Sequence, residues 1–294
     1  MKAQEIFSIE DLNPQLEQMK KRLVASNHSN QTVKNYIRSV VYMSNYLSKH
    51  PRDTSIEDIT DYLYYQKHEN TISWRTIKLY VAGLRWFYRH IEYNETLAEK
   101  IPYPKEEIHL PEILSREDLN RLFNGCYNQK HRVILRLIYS SGLRRNELIN
   151  LKLTDIITGD GKFKIRINNS KGKKDRYTVL SKRIVTELRE YYKNYSPIKY
   201  LFNGRIKGEP MSAAGLRHIL TKAIEYSGLK KYVNIHLLRH CFASHALEDG
   251  INIKTLQAVL GHSSIKTTLI YLHVSDIPLF KAFSPLDNWS KYNL

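Results

Sequence analysis

Four separated stretches of the chain hold the residues best able to do chemistry. In SGLRRNELINLKLTDI, Arg144 stands three residues ahead of Glu147. A planar guanidinium can give two parallel hydrogen bonds to phosphate oxygens and keeps its charge near neutrality. An ordinary surface helix with an Arg-Glu pair would read the same way. In NNSKGKKDRYTVL, Lys171, Lys173 and Lys174 crowd a turn, where an ammonium can reach into a groove and give a proton to a leaving oxygen; a solvated lysine turn has the same composition. In NIHLLRHCFASHALEDG, the spacing of His236 and Arg239 brings both side chains to one face of a helix start, where a single phosphate can meet both. His236, His240 and His245 raise the question of zinc, but the helical spacing is imperfect and neither HExxH nor closely paired cysteines occur, so no metal and no cofactor is expected. LQAVLGHSSIKTTLIYLHV carries His262 and Tyr271. A tyrosine flanked by Ile270 and Leu272 suits a helix core as well as a nucleophile, and the chain has 21 tyrosines to choose among. Making a phenolate at neutral pH costs about 4 kcal/mol, so a tyrosine nucleophile needs cationic neighbours.

The elements that must position these residues fall into two groups. The chain has 294 residues, long enough for two domains, and a formal charge of +17 that would draw a polyanion to folded surfaces, because the basic residues are spread along the chain. Charge by itself admits anionic membranes and acidic proteins as well as nucleic acid. Cys126 and Cys241 are too few for a disulfide framework and point to a reducing, cytoplasmic setting. The amino-terminal residues do not look like a secretory signal, and no run of 18 uncharged apolar residues suggests a membrane span.

The spacing of Val33, Tyr36, Ile37, Val40, Val41 and Leu47 predicts an amphipathic helix over 30–49, Ser55 and Asp58 form a capping-box pair ahead of a second helix, and a third is expected over 71–90. Pro102, Pro104 and Pro111 then break any continuous helix, which places a linker at 99–112 between a helical domain, 1–98, and a second domain, 113–294. The second domain opens with Ser115 and Asp118 in the same capping register, and a helix over 131–140 runs into Gly142. Residues 162–167 alternate, 169–175 read as a turn and 176–180 resume a strand, giving a short antiparallel hairpin. Helices follow over 182–194, 212–227, 236–249 and 253–260, and Ser263 or Ser264 can cap a further one that carries Tyr271. The apolar Leu279, Phe280 and Phe283 near the end suit either packing on their own domain or docking on a neighbouring subunit.

Taken together, the four stretches resemble the tyrosine recombinases, the phage integrase family, and the two-domain layout is similar to that of Xer-like or integron-like members. The resemblance implies a mainly α fold: a helical core-binding domain, then a mixed α/β catalytic domain with a small antiparallel β-sheet. It makes Arg144 and Arg239 the phosphate-binding arginines, Lys171 the acid at the hairpin tip, His236 and His262 the accompanying histidines and Tyr271 the nucleophile. Glu147 and His240 are expected in support. The implied partner is double-stranded DNA bearing specific sites, bound by a homotetramer or heterotetramer, with the protein in the cytoplasm at the nucleoid. The core-binding domain is expected to close one half of a clamp on DNA, with Lys34, Arg38, Arg75, Lys78 and Arg85 as candidate phosphate contacts, joined by Lys173 and Lys174 of the turn. The segment 277–286 is expected to dock on the next subunit. Relaxation by a type IB topoisomerase-like enzyme, and a non-catalytic DNA-binding accessory protein, are the competing readings.

Overall fold

The computed structural model describes residues 9–105, 112–168 and 175–273. Lys171, Lys173, Lys174 and the segment 277–286 therefore lie outside the described residues. The chain divides into two compact units, Met1–Ile108 and His109–Leu294.

The first unit is helical. It contains α1 (Asn13–Ala25), α2 (Asn30–Leu47), α3 (Ile56–His68), α4 (Trp74–His90) and the short α5 (Glu95–Lys100). The capping box at Ser55 forms in both directions: Ser55 Oγ accepts the Asp58 amide at 3.1 Å and the Asp58 carboxylate accepts the Ser55 amide at 2.9 Å. This satisfies amides that the helix itself leaves open. Helix α1 was not anticipated from the sequence, although Leu12, Met19 and Leu23 recur at helical spacing and are fully buried. Seven charged or amide side chains between them dilute the pattern. The linker expected at 99–112 also begins too early. Ala98 and Ile101 are fully buried in the first unit's core with Phe87, Leu84 and Ile91. Arg85 holds that segment down, donating to the carbonyls of Ile101 at 3.1 Å and Glu99 at 3.2 Å while its guanidinium lies 5.2 Å from the Tyr103 ring.

The second unit runs α6 (Arg116–Asn124), α7 (Gln129–Ser141), α8 (Arg145–Ile149), β1 (Ile156–Gly159), β2 (Lys162–Ile167), β3 (Arg176–Val179), α9 (Lys182–Tyr195), α10 (Ala213–Ser227), α11 (Ile235–Glu248), α12 (Ile253–Leu260) and α13 (Lys266–Leu269), followed by a 3-10 turn, Ile270–His273. The strands form one antiparallel sheet in the order β1-β2-β3, with Ile165 of β2 opposite Ile156 on one side and Thr178 on the other. A hairpin was expected and a third strand was not. The fold is mainly α with a small antiparallel sheet in the second unit, as the sequence implied.

Helices α7 and α11 form the centre of this unit. Val133, Ile134, Leu137 and Ile138 of α7 join Leu237, Leu238 and Cys241 of α11 in the main core, while Ala243 and Leu247 of α11 face a smaller core with Leu256, Leu260 and Tyr271. A helix that is apolar on both faces is largely enclosed, so a polar residue on its inner side is buried too. That is the setting of Arg239. No helix among the described residues is long and apolar enough to cross a membrane.

Candidate active site

Gly142 ends α7 in the left-handed conformation, φ 61°, and turns the chain so that Arg144 sits immediately before α8 in extended backbone. From there the Arg144 amide donates to Glu147 Oε2 at 2.8 Å, its Nη1 donates to Glu147 Oε1 at 2.8 Å, and its Nη2 donates to the Gly261 carbonyl at 2.9 Å. The three-residue spacing seen in the sequence is thus an ion pair folded around a helix start. Arg144 keeps 31 % of its side chain exposed, whereas Glu147 keeps 11 %.

Glu147 is the hub. Besides Arg144 it receives two bonds from Arg176, Nη1 to Oε1 at 2.8 Å and Nη2 to Oε2 at 3.0 Å, and Arg239 Nη1 lies 3.8 Å away. Burial pushes the carboxyl pKa up, but the bonds and charge of Arg176 and the bonds from Arg144 outweigh it and hold the group below its ordinary value. Three guanidiniums around one carboxylate leave a net positive field at the site.

Arg176 was not among the residues singled out from the sequence. It opens β3, and its Nε also donates to the Val259 carbonyl at 3.2 Å. The signal for it was present in the run Lys174, Asp175, Arg176, basic then acidic then basic, but nothing local distinguished it from the lysines before it. Its path explains Gly261, which has φ 63°: a Cβ there would lie 2.4 Å from Arg176 Cδ.

Arg239 is 1 % exposed. Its Nη1 donates to the Gly142 carbonyl at 2.6 Å and its Nη2 to the Leu260 carbonyl at 2.7 Å, and Nη2 also meets His262 Nε2 at 3.1 Å. Its buried Nε has no hydrogen-bond partner among the described residues. Burial, then the charge of Arg144, lowers its pKa to about 10, so it remains a cation at neutrality. An arginine has only donors to offer, so His262 Nε2 must accept, and the His262 proton resides on Nδ1, which lies 2.9 Å from Thr268 Oγ1. Burial first, and then the charges of Arg239 and Arg144, push the His262 pKa down to about 4, consistent with a neutral ring.

Tyr271 lies 3 % exposed on the 3-10 turn, not on the capped α-helix that was expected; Ile265, rather than either serine, stands at the start of α13. Its ring is nearly parallel to that of His262, with a centroid distance of 6.3 Å, and its hydroxyl is 2.9 Å from His240 Nδ1. Burial raises the Tyr271 pKa, while Arg239 and Arg144 pull it back. His236 lies edge-on to His240 at 4.5 Å between ring centroids and is itself exposed. Of the three histidines considered for zinc, His236 and His240 adjoin and His240 meets Tyr271, while the buried His245 meets the Tyr139 hydroxyl at 3.0 Å.

The structure therefore brings Arg144, Glu147, Arg239, His240, His262 and Tyr271 together, with His236 adjoining His240. A groove of about 720 Å3 opens beside Arg144, lined by Arg145, Arg217, Tyr232, Asn234 and His236. In the first unit Lys34, Arg38 and Arg75 are exposed. Lys78 lies with its ammonium 5.5 Å from the Tyr103 ring, and Arg85 is spent on backbone carbonyls.

Comparison with known proteins agrees with this geometry. Residues 112–277 match the phage integrase family and residues 16–97 match the phage integrase N-terminal SAM-like domain. The integrase/recombinase y4qK of Sinorhizobium fredii is 33% identical over 277 residues, covering 94% of this chain and 89% of that protein. The tyrosine recombinase XerD of Rickettsia conorii is 31% identical over 283 residues, covering 86% and 92%. The lambda integrase fragment solved as a dimer bound to a core site shares the fold, with a TM-score of 0.73 at 20% identity over 93% of this chain and 98% of that one. The chain belongs to the phage integrase family and is a tyrosine recombinase of the Xer-like type.

Proposed function

We propose that this protein recombines specific duplex DNA sites by using Tyr271 as a nucleophile on a backbone phosphate. One observation carries the reading. Residues from three separated segments, Arg144, Arg239, and His262 with Tyr271, converge in one largely buried, positively charged network organised by Glu147. Arg144, the partly exposed arginine, meets the scissile phosphate from the groove side, and Arg239 adds charge and its unused Nε from the buried side. Their field stabilises the charge that gathers on the transferring phosphoryl group and lowers the cost of the phenolate, about 4 kcal/mol at neutral pH before burial adds to it.

Attack forms a 3′-phosphotyrosyl bond and breaks the bond to the 5′ oxygen, which takes a proton from Lys171. The phosphotyrosyl bond conserves the energy of the phosphodiester, so a 5′ hydroxyl from another duplex rejoins the strand without ATP. The solved lambda integrase tetramer bound to a Holliday junction has the same fold, and a tetramer exchanging strands through such a junction is the assembly proposed here. Lys34, Arg38 and Arg75 contribute phosphate contacts from the first unit, joined by Lys173 and Lys174. The segment 277–286 docks on the next protomer. Action on DNA supports the reading that the protein works at the nucleoid, in the cytoplasm.

The test is covalent capture. Duplexes nicked near candidate sites, drawn from a genomic-fragment library, are incubated with the protein and separated under denaturing conditions. The expected result is a 3′ end linked to Tyr271, absent in Tyr271→Phe, which still binds DNA. A denaturant-resistant adduct in Tyr271→Phe would overturn the assignment.

A further inference from the structure

His262 is held between two partners that together fix where its proton sits. Its backbone is pinned by Gln257, whose carbonyl accepts the His262 amide at 3.1 Å and whose side chain donates to the His262 carbonyl at 3.0 Å. Arg239 Nη2 donates to ring Nε2 at 3.1 Å, and ring Nδ1 lies 2.9 Å from Thr268 Oγ1. Burial, then the charges of Arg239 and Arg144, keep the ring uncharged near neutrality, so it carries one proton. Arg239 confines that proton to Nδ1, and the Thr268 hydroxyl has to accept it. Thr268 is 0 % exposed, and its own hydroxyl proton has no other partner among the described residues. The buried Arg239 Nε has none among them either. Buried donors left open in this way are costly. Nε and Nη2 form one edge of the guanidinium, the fork that grips an oxyanion with two parallel hydrogen bonds. An oxyanion that takes the open Nε therefore competes with His262 for Nη2.

We propose that His262 changes tautomer when the site takes up a phosphate, and that Thr268 is the positioning residue that permits the change. This rests on the phosphotyrosyl reading above. Without phosphate, Nε2 accepts from Arg239 and Nδ1 donates to Thr268. With phosphate, Arg239 gives Nη2 to one oxyanion oxygen, and Nε2, now carrying the proton, donates to another. Nδ1 becomes an acceptor and receives the hydrogen bond of the Thr268 hydroxyl. The ring releases one proton from Nδ1 to water and takes one from water on Nε2, so its charge is unchanged. Each open donor of the resting site then has an acceptor. A hydroxyl serves both tautomers because it donates and accepts, and it changes role by turning about a single bond. Thr268 is held ready for this: its amide donates to the Ile265 carbonyl at 2.8 Å, and its β-branched side chain has few rotamers open to it.

The experiment uses the full chain, isotope-labelled at histidine nitrogen, and an intact duplex bearing the site found by covalent capture. Long-range proton–nitrogen correlation spectra separate the two neutral tautomers from each other and from the doubly protonated ring. The His262 signals are those missing from His262→Gln. The proton is expected on Nδ1 in the free protein and on Nε2 in the complex. A proton on the same nitrogen in both states would overturn the proposal, as would a doubly protonated ring in the complex. Thr268→Val, its fold checked by circular dichroism, should bind the duplex as the parent does but form the adduct on a suicide duplex about tenfold more slowly, the worth of one lost hydrogen bond. Thr268→Ser restores the hydroxyl and should bring the rate back to within about threefold of the parent. Valine and serine variants that cleave equally fast would show that the hydroxyl does not matter, and equally slow ones that packing does; either result removes the role given to Thr268. If Thr268→Val does not fold, Thr268→Ser still decides, since its His262 must switch as the parent's does. A parent chain that forms no adduct would sink the phosphotyrosyl reading itself, whereas an adduct with an unmoved proton sinks the tautomer change alone.

Discussion

Replacing Gly261 with alanine should disable the site through a residue 85 positions away in no obvious contact with it in sequence, Arg176. The new Cβ would lie 2.4 Å from Arg176 Cδ and 2.5 Å from its Nε, both on a flexible side chain, so the clash itself is relieved by swinging the guanidinium aside. The cost lies in what that movement breaks. Arg176 gives two bonds to a Glu147 side chain that is only 11 % exposed. Breaking a buried pair typically costs about 3–5 kcal/mol. Here Arg144 still holds the carboxylate at 2.8 Å, which reduces the loss to about 2 kcal/mol. The left-handed backbone at φ 63° adds about 1 kcal/mol for any side chain with a Cβ. The second unit should therefore lose about 3 kcal/mol, a shift in urea midpoint of about 1.5 M at a typical denaturant slope. The assay is urea unfolding of the full chain by circular dichroism, fitted with one transition per unit. In an Arg176→Ala background, where no Cδ remains to be displaced, Gly261→Ala should cost only the backbone component. If the substitution costs the same in both backgrounds, or less than about 0.5 kcal/mol in the parent, the account of Arg176 as the occupant that requires glycine is wrong.

Ser55→Ala removes the acceptor of the Asp58 amide and should destabilise the first unit by about 1 kcal/mol, read as a lower urea midpoint for that transition alone. The second unit should lose stability as pH falls from 6.5 towards 4, because the unfolded His262 takes up a proton near its ordinary pKa while the folded one resists until about 4. His262→Gln should flatten that decline, and an identical pH dependence in the variant would exclude His262 as its source. Lys34→Gln and Arg38→Gln should each lower the salt slope of DNA binding by about 0.9 per lost phosphate contact. Arg85→Gln should leave that slope unchanged and lower the stability of the first unit, since its guanidinium is bonded to the carbonyls of Ile101 and Glu99; measured slopes in the opposite order would reverse these assignments.

Much of the fold was legible in the sequence because its determinants are local. The capping pair at Ser55, the alternation of 162–167 and the spacing of apolar residues in α2 and α4 each depend on neighbours within about four positions. Helix α1 escaped because charged residues interrupt its apolar stripe, and β1 because four residues, two of them exposed, carry too little alternation to stand out. The connector was placed by its prolines, yet Ala98 and Ile101 are drawn into the first unit's core, a matter of packing that no breaker residue announces.

The same division runs through the site. Sequence alone determined which residue types gather in four short motifs, that Arg144 and Glu147 share one helix start, that His236 and Arg239 share one turn of another, and that the surface is basic. Only the tertiary structure decided the partners. Arg144 reaches a carbonyl 117 positions away, Arg176 reaches Glu147 across 29, and Tyr271 meets His240 across 31. A guanidinium or a phenol is long and can turn to many neighbours, so its identity limits what it can donate or accept but not to whom. That choice follows from burial: α11 is enclosed by cores on both faces, Arg239 must find acceptors inside, and the carbonyls of Gly142 and Leu260 are the ones the packing of α7 and α12 puts within reach.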